Sequence, residues 1–327
     1  MIITRSPLRI TLGGGGTDLP SYYQAHGGFC ISAAIDKYVY VTVTKPFAEG
    51  IYLKYSDIES AVNITDIKHP IIRETLQMMA LNPPKIEITT LADIPAGTGL
   101  GSSGSFTTAL LKALCTYQRT PLNQAEIAKM ACHIEIDRLG EPIGKQDQYI
   151  AAVGGVNCFE FNRDHTVNIQ SLNLSMDTLY ELEDNLLLFF TGYARSASAI
   201  LNDQHVRSQH HEQNMLDNLH YIKELGIRSK DALMSGQTLL FGELMHEHWA
   251  FKKQRSQGMS HPNSDEWYYL AMKNGAVGGQ LVGAGGGGFL MFMAHDRNQL
   301  RKTMMKAGLE EVRFRFDYEG TKVVLTS

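Results

Sequence analysis

Apolar residues follow two different spacings along the chain, one typical of strands and one typical of helices. In the first half, residues 2–12 and 30–44 are largely apolar with loose alternation, and residues 38–43 are rich in aromatic and β-branched side chains. Both features are typical of β-strands. Residues 69–81 and 123–139 instead place their apolar side chains on one face of a helix. Shorter strands are predicted at residues 51–55 and 85–90, and residues 144–156 are predicted to form a loop followed by a helix.

The second half is dominated by longer helical segments. Helical spacing extends over residues 196–224, 229–255, 264–274 and 296–307, and strands are predicted at 185–190, 312–316 and 322–326. Residues 276–294 are predicted to form a strand, a glycine turn and a second strand. Because the pattern changes near residue 165, we predict two domains, residues 1–165 and 166–327, in a fold of the α+β class.

The composition limits the classes of function. The 327 residues carry a net charge of −4, which does not match the basic surface of a nucleic-acid-binding protein. Apolar runs reach only five or six residues, too short to span a bilayer, and Arg5 and Arg9 interrupt the N-terminal apolar stretch where a signal peptide would be continuous. Four widely spaced cysteines are typical of reduced core thiols. We therefore expect a cytoplasmic protein, monomeric or homodimeric, without a membrane or nucleic-acid partner.

A loop rich in glycine and serine precedes a helical pattern that starts at Phe106. Glycines let the backbone turn sharply and direct several N–H groups to one point, and a helix N-terminus adds further N–H groups and a partial positive charge. The serines could cap the helix or hold a metal ion between phosphates. The loop is therefore predicted to bind the phosphate groups of a ligand through Pro95, Gly97, Gly99, Leu100, Gly101, Ser102, Ser103, Gly104 and Ser105.

Two widespread nucleotide-binding motifs do not fit the sequence. The glycines at 283, 285 and 288 have the spacing of a dinucleotide-binding loop, but the strand-like residues 289–293 follow them where a helix is required. The P-loop pattern GxxxxGK[ST] is absent, and no lysine follows Gly101. The predicted phosphate-binding loop must therefore belong to another design.

Three motifs in order along the chain resemble the GHMP kinase superfamily, which includes galactokinase, homoserine kinase and mevalonate kinase. Residues 95–103 match the central Pro-x-x-x-Gly-Leu-Gly-Ser-Ser signature, residues 6–18 resemble the first motif, and residues 283–288 resemble the third. The resemblance covers almost the whole chain. It implies an N-terminal domain like ribosomal protein S5 domain 2 and a ferredoxin-like C-terminal domain. It also implies ATP and Mg²⁺ at the loop, and phosphoryl transfer to an alcohol.

The resemblance assigns catalytic roles as well. Asp147 matches the base in the Gly-x-x-Asp-Gln segment of the sugar kinases, and Arg9 matches the cation beside it, which would keep the carboxylate ionised and stabilise negative charge. Glu135 matches the Mg²⁺-binding glutamate of the family, with Ser103 or Ser102 as its hydroxyl partner. Without the flanking motifs, Asp147 could instead cap a helix, and Glu135 could lie on a solvated helix face.

The acceptor implied by the resemblance is a sugar. Residues 5–18, 144–149 and 191–198 carry a closer resemblance to the anomeric sugar kinases of the superfamily, and among them to those that convert D-glycero-α-D-manno-heptose 7-phosphate to the 1,7-bisphosphate. Galactokinases carry a Glu-His pair where this sequence has Gly15 and Gly16, which argues against galactose. Asp18 would accept hydrogen bonds from sugar hydroxyls. The substrate-binding set is therefore predicted to be Gly14, Gly15, Gly16, Thr17, Asp18, Arg195, Gly285 and Gly286.

Arg195 has a distinct place in this set, as the candidate anchor for the acceptor's own phosphate. Serines follow it at Ser196 and Ser198, an arrangement that resembles a phosphate site at a helix start. The alternative for this segment is a helix N-terminus with serine caps. Lys145 is a second candidate for contact with the phosphate because it lies close to the predicted base.

Three alternative functions stay open at this point. Another anomeric sugar kinase, such as a fucokinase-like enzyme, would present no phosphate to Arg195. A mevalonate- or homoserine-type kinase is disfavoured by the Asp147-Gln148 pair. A non-catalytic sensor of sugar phosphates would need neither a base nor a metal ligand, so the presence of Arg9, Glu135 and Asp147 argues against it.

Overall fold

The part of the chain that the computed structural model describes, residues 1–81, 85–192, 198–256 and 258–327, contains two β-sheets and the helices that cover them. In chain order the elements are β1 Ile2–Gly13, α1 Pro20–His26, β2 Gly28–Thr44, β3 Ile51–Lys54, β4 Ile58–Ala61, α2 Pro70–Met78, β5 Ile86–Ala92, α3 Ser102–Tyr117, α4 Gln124–Cys132, α5 Gln146–Val153, β6 Val156–Phe161, β7 Val167–Ser171, α6 Met176–Asn185, β8 Leu186–Phe190, α7 Ser198–Gln209, α8 Gln213–Met234, α9 Thr238–Arg255, α10 Pro262–Met272, β9 Ala276–Leu281, β10 Phe289–Ala294, α11 Arg297–Lys306, β11 Glu310–Glu311 and β12 Lys322–Thr326. Among these described helices, none combines the length and the hydrophobicity that a membrane span requires.

The first sheet is organised around β2, a strand of 17 residues. Its strand order is β12-β1-β2-β5-β3-β4, and a second arm runs from β2 through β6 to β7. Residues 39–44 of β2 pair with β5, whereas residues 28–33 pair with β6. One long strand therefore serves both arms, and β1 pairs antiparallel along most of its length. This pairing fixes the C-terminal end of β1, which carries Arg9 and the first glycine motif.

Helix α3 packs across β1 and β2 and is buried along most of its length. Thr4 donates a hydrogen bond to the carbonyl of Ala109 at 2.8 Å, and the hydroxyls of Ser6 and Thr108 lie 2.9 Å apart. These buried polar side chains on β1 thus pair with the helix backbone and hydroxyls, which satisfies their hydrogen-bonding groups. The contact fixes where α3 begins relative to β1, and with it the loop that precedes α3.

The second sheet is antiparallel in the order β11-β8-β10-β9 and carries α9 against β9 and β10. Helix α8 packs beside α9 and also against β1 and β2. The close approach depends on Gly226 of α8, because a Cβ there would lie 3.0 Å from the Cα of Gly14. The glycine-rich end of β1 therefore lies next to the helices of the second half of the chain.

Several predicted elements differ from the structure. Two helices predicted over 196–224 and 229–255 are three, α7, α8 and α9, because the chain turns at His211 and Gly236, whose φ angles are 52° and 71°. The strand predicted at 312–316 is not formed; the strand there is the two-residue β11, and Phe316 makes only an isolated bridge to Ile35. The sequence patterns also missed α1, β6, β7 and α6.

The predicted division near residue 165 stays a prediction. Strand β7, which begins at Val167, pairs with β6 in the first sheet, and β12 at the C-terminal end of the chain pairs with β1. The first sheet therefore draws strands from both sides of that boundary.

Candidate active site

A cavity of about 360 Å³ opens between the end of β1, the start of α3, the start of α5 and one face of α9. Most of the side chains and glycines predicted as site residues line it, although they come from distant parts of the sequence. The cavity is lined, among other residues, by Arg9, Gly15, Gly16, Asp18, Gly97, Gly99, Gly101, Ser102, Ser103, Gly104, Glu135, Asp147 and Gly285. The fold therefore brings the three motifs to one place.

The glycine- and serine-rich loop leads directly into α3, whose N-cap is Gly101 in the left-handed conformation with φ 75°. A Cβ at this position would lie 3.0 Å from Cγ of Arg9 and 3.2 Å from Oδ2 of Asp147. Both the backbone angle and the space therefore require glycine. The serines predicted as possible caps do not cap α3: Ser105 donates instead to the carbonyls of Pro7 and Gly101.

The glycine turn between β9 and β10 forms the opposite wall of this loop. A Cβ on Gly283 would lie 2.6 Å from the Cα of Gly99, and a Cβ on Gly99 would lie 2.6 Å from the carbonyl oxygen of Val282. The strand β10 follows the turn, which confirms that the glycines at 283–288 do not open a Rossmann helix. Gly285 lines the cavity, whereas Gly286 donates its N–H to the carbonyl of Met259 at 2.9 Å.

Arg9 and Asp147 form a bidentate ion pair in the cavity. Nε of Arg9 donates to Oδ1 of Asp147 at 2.7 Å, and Nη2 donates to Oδ2 at 2.8 Å. Nη1 of the same guanidinium donates to the carbonyl of Gly99 in the loop. Asp147 lies in the first turn of α5, where the helix dipole favours a carboxylate. It is not the helix cap, because Lys145 occupies that position.

Glu135 lies in a short π-helical segment, His133–Arg138, that follows α4. The wider turn breaks the regular helical face, so Ile134 and Glu135 are both buried while Asp137 remains exposed. Glu135 is only 1% exposed, and its carboxylate accepts hydrogen bonds from the Ser103 hydroxyl and from Nε2 of Gln148. Burial raises the pKa of Glu135 to about 7, although these hydrogen bonds lower it. The solvated-face alternative therefore describes Asp137, not Glu135.

Asp18 lies behind Gly15 and Gly16 at the other side of the cavity. Its carboxylate accepts the backbone N–H of Gln146 at 3.1 Å and that of Gly16 at 3.2 Å. Burial, followed by the negative charge of Asp147, raises the pKa of Asp18 above its ordinary value. Thr17 lies deeper and donates to the carbonyls of Gly14 and Phe29, so it stabilises the turn without lining the cavity.

Arg195 lies outside the described residues, as do its neighbours at 193–197. The structure instead shows three side chains that the sequence analysis missed, His248, Lys252 and Arg255, which line the cavity from α9. Their spacing of four and three residues places them on one helical face. The sequence held one signal for these residues: polar and basic side chains recur on a helical face that otherwise packs against a sheet.

Lys252 links α9 to the glycine turn. Its ammonium donates to the carbonyls of Leu281 at 2.8 Å and Gly283 at 2.5 Å. Burial, followed by the charges of Arg255 and Arg9, lowers the pKa of Lys252 well below its ordinary value. A buried amino group therefore lies beside the turn that faces the predicted phosphate-binding loop.

Comparison with known proteins agrees with this arrangement. One family model, described as the GHMP kinases N terminal domain, matches residues 68–155, and another, described as GHMP kinases C terminal, matches residues 229–307. The chain is 32% identical over 334 residues to D-glycero-alpha-D-manno-heptose 7-phosphate kinase of Campylobacter jejuni, and the match covers 98% of each chain. The chain belongs to the GHMP kinase family.

Two further GHMP kinase relatives extend the comparison. The crystal structure of a D-glycero-D-manno-heptose 1-phosphate kinase from Bacteriodes thetaiotaomicron superposes with a TM-score of 0.82 at 26% identity, covering 100% of both chains. L-fucokinase/L-fucose-1-P guanylyltransferase of Bacteroides fragilis is 28% identical over 89% of this chain, which spans 34% of that longer protein. These matches confirm the predicted fold, and membership of the family makes the chain a kinase with ATP as its phosphate donor.

Proposed function

We propose that this GHMP kinase transfers the γ-phosphoryl group of ATP to the anomeric hydroxyl of D-glycero-α-D-manno-heptose 7-phosphate, giving the 1,7-bisphosphate and ADP. The observation that carries the proposal is the bidentate Arg9–Asp147 pair, which contacts the glycine-rich loop and lines the same cavity as Asp18. The heptose acceptor is suggested by the Campylobacter jejuni relative, whose name states it.

In the proposed reaction, the oxygen of the anomeric hydroxyl forms a bond to the γ-phosphorus while the bond to the β-phosphate oxygen breaks. Asp147 accepts the proton that the hydroxyl loses, and ADP leaves with the electrons of the broken bond. Arg9 holds Asp147 through two hydrogen bonds, which orient the carboxylate. The N–H groups of the loop and of the first turn of α3 bind the phosphates.

Ser103 and Glu135 fit a magnesium ion by the chemistry of their donor atoms. Mg²⁺ prefers oxygen ligands and is commonly held by one or two protein side chains together with phosphates. The Ser103 hydroxyl contacts the Glu135 carboxylate at the cavity wall, so two suitable oxygens are already together. When bound, the ion would neutralise phosphate charge during transfer, and its own charge would also favour the ionised form of the buried Glu135.

Asp18 supplies the specificity for a hydroxylated acceptor. Its carboxylate is held by two backbone N–H groups and retains capacity to accept further hydrogen bonds from sugar hydroxyls. Gly15 and Gly16 line the cavity together with Asp18. This combination supports a sugar and gives no support to an acceptor such as mevalonate.

The test is ATP consumption by the purified protein with a panel of acceptors: D-glycero-α-D-manno-heptose 7-phosphate, mannose, L-fucose, galactose and mevalonate. We expect turnover with the heptose 7-phosphate to exceed turnover with each other acceptor by at least about tenfold in kcat/KM, because interactions with the correct acceptor lower the transition-state barrier. Preference for L-fucose would establish a fucokinase-like enzyme. Absence of turnover with all five acceptors, although ATP binds, would contradict the proposed acceptor range.

A further inference from the structure

The inner face of α9 presents three buried basic side chains to the cavity. His248, Lys252 and Arg255 are 5%, 6% and 3% exposed, and all three line the cavity wall. Within the described residues, no carboxylate lies within 4.0 Å of the Lys252 ammonium or of the Arg255 guanidinium. A buried guanidinium without an anionic partner is costly, so the position of Arg255 needs an explanation.

Arg255 has hydrogen-bonding capacity that the protein leaves unused. Nε donates to Oδ1 of Asn218 at 3.1 Å, and Nη1 lies 3.3 Å from the carbonyl of Gly15 and 3.4 Å from Oε1 of Gln204. Nη2 is buried and has no hydrogen-bond partner in the described structure. A guanidinium held by neutral acceptors on two of its nitrogens, with the third unpaired, is suited to an anion.

The neighbouring groups strengthen the same conclusion. His248 is buried on the same helical face and shares a side-chain hydrogen bond with Gln280. The amino group of Lys252 is a further hydrogen-bond donor on this face, where it already donates to two carbonyls. Burial lowers the pKa of Arg255 to about 10, and the nearby charge of Asp18 opposes this change.

The position of Arg255 separates it from the nucleotide loop. Its Nη1 reaches the backbone of Gly15, and a Cβ on Gly16 would collide with that nitrogen, so Arg255 lies directly against the first glycine motif. Lys252, one helical turn earlier, instead contacts the glycine turn that faces the nucleotide loop. Arg255 is therefore on the side of Asp18, where the acceptor is proposed to bind.

We propose that Arg255, supported by Lys252 and His248, forms an anion subsite that binds the phosphate group carried by the acceptor sugar. The inference rests on the proposed sugar kinase function and makes it more specific. It assigns the recognition of the acceptor's phosphate monoester to α9. Free inorganic phosphate shares this chemistry, whereas a neutral sugar does not.

The test compares two acceptors that differ only in the phosphate, D-glycero-α-D-manno-heptose 7-phosphate and the free heptose. We expect the wild-type protein to prefer the phosphorylated acceptor. Arg255→Met should raise the KM for heptose 7-phosphate by roughly 10- to 100-fold, the range for loss of a charge-assisted hydrogen bond, and should move the KM for ATP less than about twofold, since Arg255 lies away from the nucleotide loop. Arg255→Lys keeps the charge but lacks the paired donors of the guanidinium. Its KM for heptose 7-phosphate should therefore lie between those of the wild-type protein and Arg255→Met.

Arg228→Met is the matched control, because Arg228 is an exposed arginine on α8 that pairs with Glu247 at 3.6 Å. It should change neither KM. Inorganic phosphate should inhibit the wild-type protein competitively with respect to heptose 7-phosphate, and this inhibition should be absent in Arg255→Met. Thermal unfolding of each variant without ligand identifies any that fail to fold, and Arg255→Lys then carries the test.

The outcomes separate the two proposals. Preference for the phosphorylated acceptor that persists unchanged in Arg255→Met and Arg255→Lys would overturn the α9 subsite and leave the proposed function standing. An increase confined to the KM for ATP would assign Arg255 to the nucleotide and would also overturn the subsite. Equal use of the free heptose and its 7-phosphate by the wild-type protein would contradict the proposed acceptor itself.

Discussion

The two walls of the cavity differ in whether their charged side chains have partners within the protein. On the wall formed by β1, α3 and α5, Arg9 is matched by Asp147, and Glu135 is matched by the donors of Ser103 and Gln148. On the wall formed by α9, buried basic groups face the cavity with no carboxylate in contact among the described residues. On the first wall the protein itself supplies these hydrogen-bond and charge partners, which is typical of a preorganised site. The second is completed only when an anion binds.

The difference between the two walls also explains which site residues could be identified from the sequence. Arg9 and Asp147 lie within motifs, because the glycines and the ion pair must meet in the folded protein and this constrains the spacing of the residues around them. The α9 residues lie on an ordinary helix, outside the glycine motifs. We therefore expect substitutions on the first wall to affect the chemical step or metal-dependent nucleotide binding, and substitutions on the second wall to affect acceptor binding.

The largest expected effect is that of Asp147→Asn on the first wall. Removal of the proton acceptor should lower kcat by roughly 10²- to 10⁴-fold, the usual contribution of general base catalysis, while the KM for ATP stays within about threefold. Steady-state kinetics with heptose 7-phosphate measures both. Asp177→Asn is the control, since Asp177 also lies in the first turn of a helix but is exposed. A kcat near the wild-type value would remove Asp147 from the role of base.

Glu135→Gln should produce the next largest effect. Loss of the carboxylate should weaken Mg²⁺-dependent nucleotide binding by roughly 10- to 100-fold, in line with changes around metal sites. Calorimetric titration of ADP at stepped concentrations of free Mg²⁺ measures this. Asp137→Asn, in the same π-helical segment but exposed, should behave as the wild-type protein. An unaltered Mg²⁺ dependence in Glu135→Gln would exclude Glu135 as a ligand.

The smallest expected effect is on the free energy of unfolding, and it can be compared directly between the two walls. Arg9→Met should lower the free energy of unfolding by about 2 kcal/mol, because it leaves Asp147 and the Gly99 carbonyl without their donor; the partial exposure of Asp147 keeps the loss below that of a fully buried pair. Arg255→Met should change it by less than about 1 kcal/mol, since it also removes an unpaired buried charge. Denaturant unfolding without ligand provides both values. Equal losses would show that the walls do not differ as described.

Much of the fold was predictable because it rests on local patterns. The helices α2 and α3 and the strands β1, β2 and β5 follow from apolar spacing and from their flanking glycines and prolines. The break between α8 and α9 was misplaced, because Gly236 adopts a left-handed angle that helix propensity alone does not reveal. The short β11 depends on pairing with β8, a long-range contact that no local pattern encodes.

The site was predictable only where a motif defines it. Arg9, Glu135 and Asp147 were named from sequence, and the structure brings all three to one cavity. Lys252 and Arg255 were missed because a basic residue near a helix C-terminus normally points to solvent and interacts with the helix dipole. Their burial results from the packing of α9 between β9 and α8, which is a property of the tertiary structure.

The most direct test of the central claim is the position of the new phosphate in the product. Phosphorus NMR of the reaction of the wild-type protein with ATP and heptose 7-phosphate should show a second phosphate monoester whose phosphorus couples to the anomeric proton of the sugar. That result would establish transfer to the C1 hydroxyl of an already phosphorylated acceptor. A new phosphate coupled to any other proton of the sugar, or release of inorganic phosphate without a new sugar phosphate, would contradict the account.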